Sequence, residues 1–242
     1  MPIQMTDCWF AYRHKEVLSA FNYSLKPGST VLLGPNGAGK STLLSLAASV
    51  RRPQRGAISH RGVPATSRDY RRKVAWMPQN ITAMPGLTAR EQVAFVGWAK
   101  GMNRTDAWAR AAVALRQVDL ADKESVRSKT LSGGQLRRVG VAQALVHDAE
   151  VLLLDEPTAG MDPRQRRVFR DVLAQLPSDV AVLLSTHDVA DLAEESDNVT
   201  VLDSGKLVYD GDTSGFLAHA PHDTTPVRRA EAAYSMLSGG DS

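Results

Sequence analysis

The sequence predicts an α/β fold in which a parallel-sheet core is joined by an antiparallel β sub-domain and interrupted by an inserted helical sub-domain. Three observations carry this prediction. The runs "VLLLDE" (151–156) and "VAVLLST" (180–186) are continuous apolar stretches of strand length, the pattern of strands buried on both faces of a parallel sheet. The first sixty or so residues instead alternate short apolar stretches with the turn-forming "KPGS" and "RRPQRG". Between these regions, "LTAREQVAFVGWAKGM" and "TDAWARAAVALRQVDL" space their apolar residues as helices do, through about residue 120.

Taken in order, "CWFAY", "FNYSL", "TVLLG" and "GAISH" are the strands of the amino-terminal lobe, and "KVAWMPQ" is a further strand ahead of the helical insertion. After the two buried runs, "NVTVLDSGKLVYDG" reads as a hairpin that closes the core. A chain of 242 residues supports one sizeable core with an appended lobe rather than several independent domains. Hydrophobic content of 43%, charged content of 23% and the lack of an apolar run near the roughly 20 residues a membrane span needs exclude a spanning protein. The start, "MPIQMTDCWFAYRHK", lacks a secretory signal's basic and apolar regions, and Cys8 is the only cysteine, so a cytoplasmic location is expected. The net charge of +3 is mild. The basic clusters "RDYRRK" (68–73) and "RQRRVFR" (164–170) read as solvated faces, and without an aromatic-rich basic platform no nucleic-acid partner is expected. Trp76, Trp98 and Trp108 read as packing residues.

Directly after the strand "TVLL" and before the helix-like "STLLSLAASV" stands "GPNGAGKST", residues 34–42. Glycine, four spacers, glycine, lysine and a hydroxyl residue form a phosphate-binding loop, and its place between a strand and a helix makes the signal specific. The glycines let backbone N–H groups turn toward phosphates, and the helix N-terminus adds a favourable dipole. Lys40 reaches the terminal phosphates, and Ser41 is placed to ligate Mg2+. Gly34, Asn36, Gly37, Gly39, Lys40, Ser41 and Thr42 are therefore the expected nucleotide-binding residues of a P-loop NTPase core. The run "VLLLDEP" ends a buried strand on two carboxylates, Asp155 for the Mg2+ shell and Glu156 to polarise a water at the γ-phosphate.

With these motifs in hand, the chain resembles the ATP-binding subunit of ABC transporters from about Tyr12 to about Gly211. The resemblance rests on a full set of motifs in order: the loop at 34–42, "MPQ" at 77–79, "LSGGQ" at 131–135, "VLLLDE" at 151–156, "AGMD" at 159–162 and "STHD" at 185–188. It implies that Gln79 is the Q-loop glutamine that touches the Mg2+ shell, that Asp162 belongs to the D-loop and that His187 is the switch histidine sensing the γ-phosphate. It also implies that Tyr12 stacks on adenine, whereas from residue type alone Tyr12 is a strand aromatic with Phe10 and Tyr23 as rivals. Leu131, Ser132, Gly133, Gly134 and Gln135 are the family signature. The resemblance assigns them to the ATP of a second subunit, packed head to tail, rather than to the nucleotide of their own chain.

The expected protein is thus an ATPase, with ATP and Mg2+ as cofactors, that powers transport through a separate integral membrane permease, and export is the expected direction. Its expected setting is the cytoplasmic face of the cell membrane, as an ATP-induced dimer. An ATPase domain over 1–218, with its helical sub-domain at about 81–130, is followed by a tail at 219–242. Within that tail, "RRAEAAYSML" reads as a short helix and "LSGGDS" repeats the signature only by coincidence, lacking the following helix that aims its amides. The placement of the tail helix and of "LTAREQVAFVGWAKGM" is similar to ATPases of bacterial ABC-2 type exporters. A soluble ABC ATPase that remodels a protein complex, as in iron-sulfur assembly, is the alternative. A DNA-repair or translation-factor ATPase ranks below both, because neither long coiled coils nor tandem cassettes are present.

Overall fold

The computed structural model describes residues 1–13, 15–187, 189, 196–221, 224–225 and 228–238. In chain order, β1 (Ile3–Tyr12) and β2 (Lys15–Leu25) pair antiparallel, β3 (Ser29–Leu33) leads through the phosphate loop into α1 (Lys40–Ala47), and β4 (Arg55–His60) and β5 (Val63–Pro64) return to β1. This gives a four-stranded sheet in the order β2-β1-β4-β5. The chain then passes through α2 (Arg68–Lys73) and β6 (Val74–Met77) into the helical lobe, α3 (Ala89–Ala99) and α4 (Arg104–Gln117), and returns by α5 (Gly133–Leu145). After it come β7 (Val151–Asp155), α6 (Pro163–Ala174), β8 (Ala181–Ser185), β9 (Asn198–Asp203) and β10 (Lys206–Asp212). The larger sheet is ordered β10-β9-β3-β8-β7-β6 and is parallel except for the β9/β10 hairpin.

The burial patterns follow the sequence patterns. All five residues of β7 and all five of β8 are buried, because the central strands are covered on both faces. Edge strand β10 instead alternates half-buried and exposed positions. Helix α5 carries the small residues Gly140, Ala142 and Ala144 toward the core, and a Cβ on Gly140 would lie 2.5 Å from the Ile81 side chain. That close approach seats the signature helix directly against the segment that follows Gln79.

In the helical lobe, Thr88 and Glu91 form a capping box on α3, and Asn103 caps α4 through the Asp106 amide. Val93, Ala111 and Leu115 are its buried face. Trp98 and Trp108 depart from the packing role expected of them, being 50% and 45% exposed. The reason is helical phase: Phe95 and Trp98 lie two and five residues past buried Val93, about 200° and 140° round the helix, so both turn outward. Trp76 does pack on the core. The tail forms the predicted helix over Arg229–Ser238, whose Ala230 and Ala233 are fully buried in the same core as Phe216 of the short helix Thr213–Leu217. The last four letters of "LSGGDS", 239–242, lie outside the described residues.

Candidate nucleotide site

The site forms at the carboxyl ends of β3, β7 and β8, where the strand register aligns Leu32 with Ser185 and Ser185 with Asp155. Ligands of open α/β sheets bind at these strand ends. The phosphate loop leaves β3 through glycines in the left-handed region, with φ of 87° at Gly37 and 109° at Gly39. Gly34 answers a separate demand, since a Cβ there would come within 2.1 Å of the Leu202 carbonyl. The Lys40 ammonium folds back over the loop, donating to the carbonyls of Gly34 at 2.5 Å and Pro35 at 3.1 Å. Burial pulls its pKa down, and Glu156 and Asp155 oppose that shift. Ser41 is exposed at the start of α1 and Thr42 is buried.

Ser185 organises the carboxylates. Its hydroxyl donates to Asp155 Oδ1 at 2.7 Å and accepts the Glu156 amide at 3.0 Å. Glu156 sits in the left-handed region at φ 47°. Its carbonyl accepts from the Arg137 guanidinium at 2.5 Å, and its carboxylate lies 3.5 Å from His187 Nδ1. The His187 side chain is 64% exposed, so that contact with Glu156 leaves most of the ring open to solvent. Lys40, Asp155, Glu156 and His187 thus converge, with carboxylates close enough to Lys40 to influence its charge.

Tyr12, not Phe10 or Tyr23, is the aromatic available beside the loop: it is 39% exposed while the rivals are 8% and 4% exposed. The Thr42 hydroxyl donates to the Tyr12 hydroxyl at 3.4 Å, Phe10 meets the Tyr12 ring edge-on, and the Arg51 guanidinium lies 4.7 Å from its centroid. Gln79 is exposed two residues beyond Met77, and the β6–β7 register pairs Met77 with Leu154, two residues before Glu156. The register therefore brings Gln79 to the same sheet end, although among the described residues no hydrogen bond ties its side chain to the others.

The signature segment is built differently. Ser132 caps α5, accepting from the Gln135 amide at 3.3 Å while Gln135 Oε1 accepts from the Ser132 amide at 2.9 Å. This is the capping box that Ser-x-x-Gln encodes, and it leaves the Gly133 and Gly134 amides at an exposed, positive helix end. Among the described residues no hydrogen bond links 131–135 to the phosphate loop of the same chain. Asp162 caps α6 through the Gln165 amide at 2.8 Å, and the Gln165 side chain abuts Gly134. Arg51, Arg137 and Ser185 are absent from the expected site. Only the register of two buried strands, invisible in a linear reading, brings Ser185 to Asp155.

A phosphate loop feeding a helix beneath a parallel sheet, with paired carboxylates on the adjacent strand ends, defines a nucleotide-hydrolysing P-loop ATPase. The ABC transporter family profile matches residues 18–159. The linearmycin resistance ATP-binding protein LnrL of Bacillus subtilis is 32% identical over 218 residues, 88% of this chain and 70% of that protein. The Nod factor export ATP-binding protein I of Burkholderia orbicola is 35% identical over 214 residues, 87% of this chain and 70% of its own length. In fold, an ATP-binding subunit of an ABC transporter superposes with a TM-score of 0.84 at 24% identity, covering 98% of this chain and all of that one. The dimeric cassette MJ0796 superposes at 0.80 and 24% identity, covering 87% and 98%. The chain belongs to the ABC transporter family and is an ATP-binding, ATP-hydrolysing subunit that powers transport.

Proposed function

We propose that the chain hydrolyses ATP between two head-to-tail copies and drives a separate membrane permease in the direction of export. The convergence of Lys40, Asp155, Glu156 and His187 at one sheet end is the observation that carries this reading. Gly34, Asn36, Gly37, Gly39, Lys40, Ser41 and Thr42 hold the phosphates, and Tyr12 stacks on the base. Glu156 polarises the attacking water while His187 bears on the γ-phosphate. Leu131 to Gln135 face the partner's ATP with Asp162 beside them, supported by the exposed helix end at Gly133 and Gly134.

Mg2+ fits the donor set. Ser185 engages only Oδ1 of Asp155, the Ser41 hydroxyl is exposed at the helix start, and Gln79 offers an amide oxygen, all hard ligands. Among the described residues no three His, Cys, Asp or Glu side chains cluster as a metal cage. An ion relying on few protein ligands and on substrate phosphates is how Mg2+ is usually held. When bound it neutralises charge on the phosphate oxygens.

The ATPase unit spans 1–218, with the helical lobe at about 81–130 and a tail at 219–242. Among the described residues no helix is long and apolar enough to cross a membrane. In this reading the permease is a separate chain and the subunit works at the cytoplasmic face of the membrane. On the helical lobe, Phe95, Trp98 and Trp108 line a 330 Å3 apolar groove and are each about half exposed, a surface suited to a partner's apolar segment. Export rests on relatives named for export and resistance. The test is MgATP turnover by the purified chain: Lys40→Ala should abolish it, and near-normal turnover in that variant would refute the site.

A further inference from the structure

The tail helix does more than cover the core. Its buried positions Ala230 and Ala233 anchor it, and Tyr234, one turn beyond Ala230, packs against the same core at its edge. Tyr234 lines a 170 Å3 cavity whose other described walls are Gly34, Pro35 and Asn36 from the phosphate loop and Thr186, His187 and Val189, which follow β8. Burial, with Asp203 close by, pushes its hydroxyl pKa up, so the phenol stays protonated. That hydroxyl has no hydrogen-bond partner among the described residues. Asp203 itself ends the strand whose Leu202 carbonyl crowds Gly34.

We propose that Tyr234 is a positioning residue for ATP hydrolysis: its ring braces Thr186 and His187 against the opening of the phosphate loop. The need for a brace is visible in His187, whose side chain is 64% exposed and, among the described residues, has one ion-pair contact, at 3.5 Å to Glu156. So few contacts leave the position of the His187 backbone to set where its ring sits, and misplacement on the scale of an ångström is costly to catalysis. Among the described lining residues Tyr234 carries the largest side chain and the one phenol ring, and it shares the cavity wall with His187. The inference rests on the proposed roles of the phosphate loop and His187.

The experiment compares Tyr234→Phe, Tyr234→Leu and Tyr234→Ala in the full chain, measuring ATP affinity by titration with a fluorescent nucleotide and kcat by phosphate release. Tyr234→Leu and Tyr234→Ala should lower kcat about tenfold with ATP affinity changed less than about twofold, and Tyr234→Phe should restore kcat because it keeps the ring. Leu237→Ala serves as the control, since Leu237 packs the same helix on the core without lining the cavity. Equal losses of kcat in Leu237→Ala and Tyr234→Leu would overturn the proposal in favour of simple helix docking. Unchanged kcat in Tyr234→Leu would also overturn it. Loss of nucleotide binding in Lys40→Ala, measured alongside, separates these failures from failure of the site itself: if binding survives there, the ATP-site reading falls.

Discussion

Ser185 holds Asp155: its hydroxyl donates to Oδ1 at 2.7 Å while accepting the Glu156 amide at 3.0 Å, at a position with no solvent exposure. One buried hydroxyl thereby fixes both the proposed Mg2+ ligand and the backbone of the proposed catalytic carboxylate. Ser185→Ala leaves a buried carboxylate oxygen and a backbone N–H without that partner, at a cost of about 1–3 kcal/mol in folding stability. The Mg2+ concentration for half-maximal turnover should rise as well, because Asp155 is no longer held. Denaturant unfolding and a Mg2+ titration check this, and a variant unchanged in both would show that Ser185 is not the organiser.

Tyr12→Ala should weaken ATP affinity by roughly 1–2 kcal/mol, the scale of a base–aromatic stack. Tyr23→Phe is the matched control: Tyr23 is buried and spends its hydroxyl on Thr200 at 3.3 Å, so removing that hydroxyl should leave nucleotide affinity unchanged. Titration with a fluorescent ATP analogue distinguishes them. Equal affinity in Tyr12→Ala and the parent would leave the Tyr12 ring as a support for Arg51 only.

Much of the candidate site's local geometry was legible because it is encoded locally. The phosphate loop needs left-handed backbone at Gly37 and Gly39, and the signature needs a capping box, which Ser132 and Gln135 supply three residues apart. The strand assignments succeeded for a related reason, since "VLLLD" and "AVLLS" are buried on both faces and carry no polar alternation. What escaped depends on contacts between distant segments. Arg51 reaches Tyr12 from beyond α1, Arg137 reaches Glu156 from a different helix, and Ser185 meets Asp155 through strand register. The outward turn of Trp98 was in principle readable from its phase against Val93, but tryptophan's usual burial argued the other way.

His147 gives the fold a pH dependence of its own. It is buried, neither ring nitrogen has a hydrogen-bond partner among the described residues, and burial, reinforced by the charges of Lys100 and Arg110 and opposed by Asp148, lowers its pKa to about 4. The ordinary histidine pKa is near 6.5, so below it the unfolded chain takes up a proton that the folded chain refuses. Stability is therefore fully present above about pH 6.5 and is lost as pH falls toward 4, by at most about 2 kcal/mol between pH 7 and pH 5. His147→Leu should remove that slope. Denaturant unfolding at the two pH values measures it, and an equal slope in both proteins would assign the dependence to other groups.

The two halves of the proposed site meet in the last prediction. Glu156→Gln keeps the backbone bonds to Ser185 and Arg137, which use the Glu156 amide and carbonyl, and keeps Ser41 and Asp155 for Mg2+. Binding should survive while hydrolysis nearly stops, because an amide cannot polarise the water as a carboxylate does. ATP then persists between one chain's Lys40 loop and the other's Gly133 and Gly134 amides, so the variant should accumulate as a dimer whose stability rises with ATP concentration by mass action. Adding Ser132→Arg removes the cap on α5 and sets a bulky cation at that helix end, which should prevent the dimer while leaving single-chain ATP binding mostly intact. Size-exclusion chromatography with light scattering, with and without MgATP, reads the outcome. If the double variant dimerises as readily as Glu156→Gln, the segment at 131–135 does not clasp the partner's nucleotide. If Glu156→Gln stays monomeric with saturating ATP even when reconstituted with its permease, the head-to-tail arrangement is wrong.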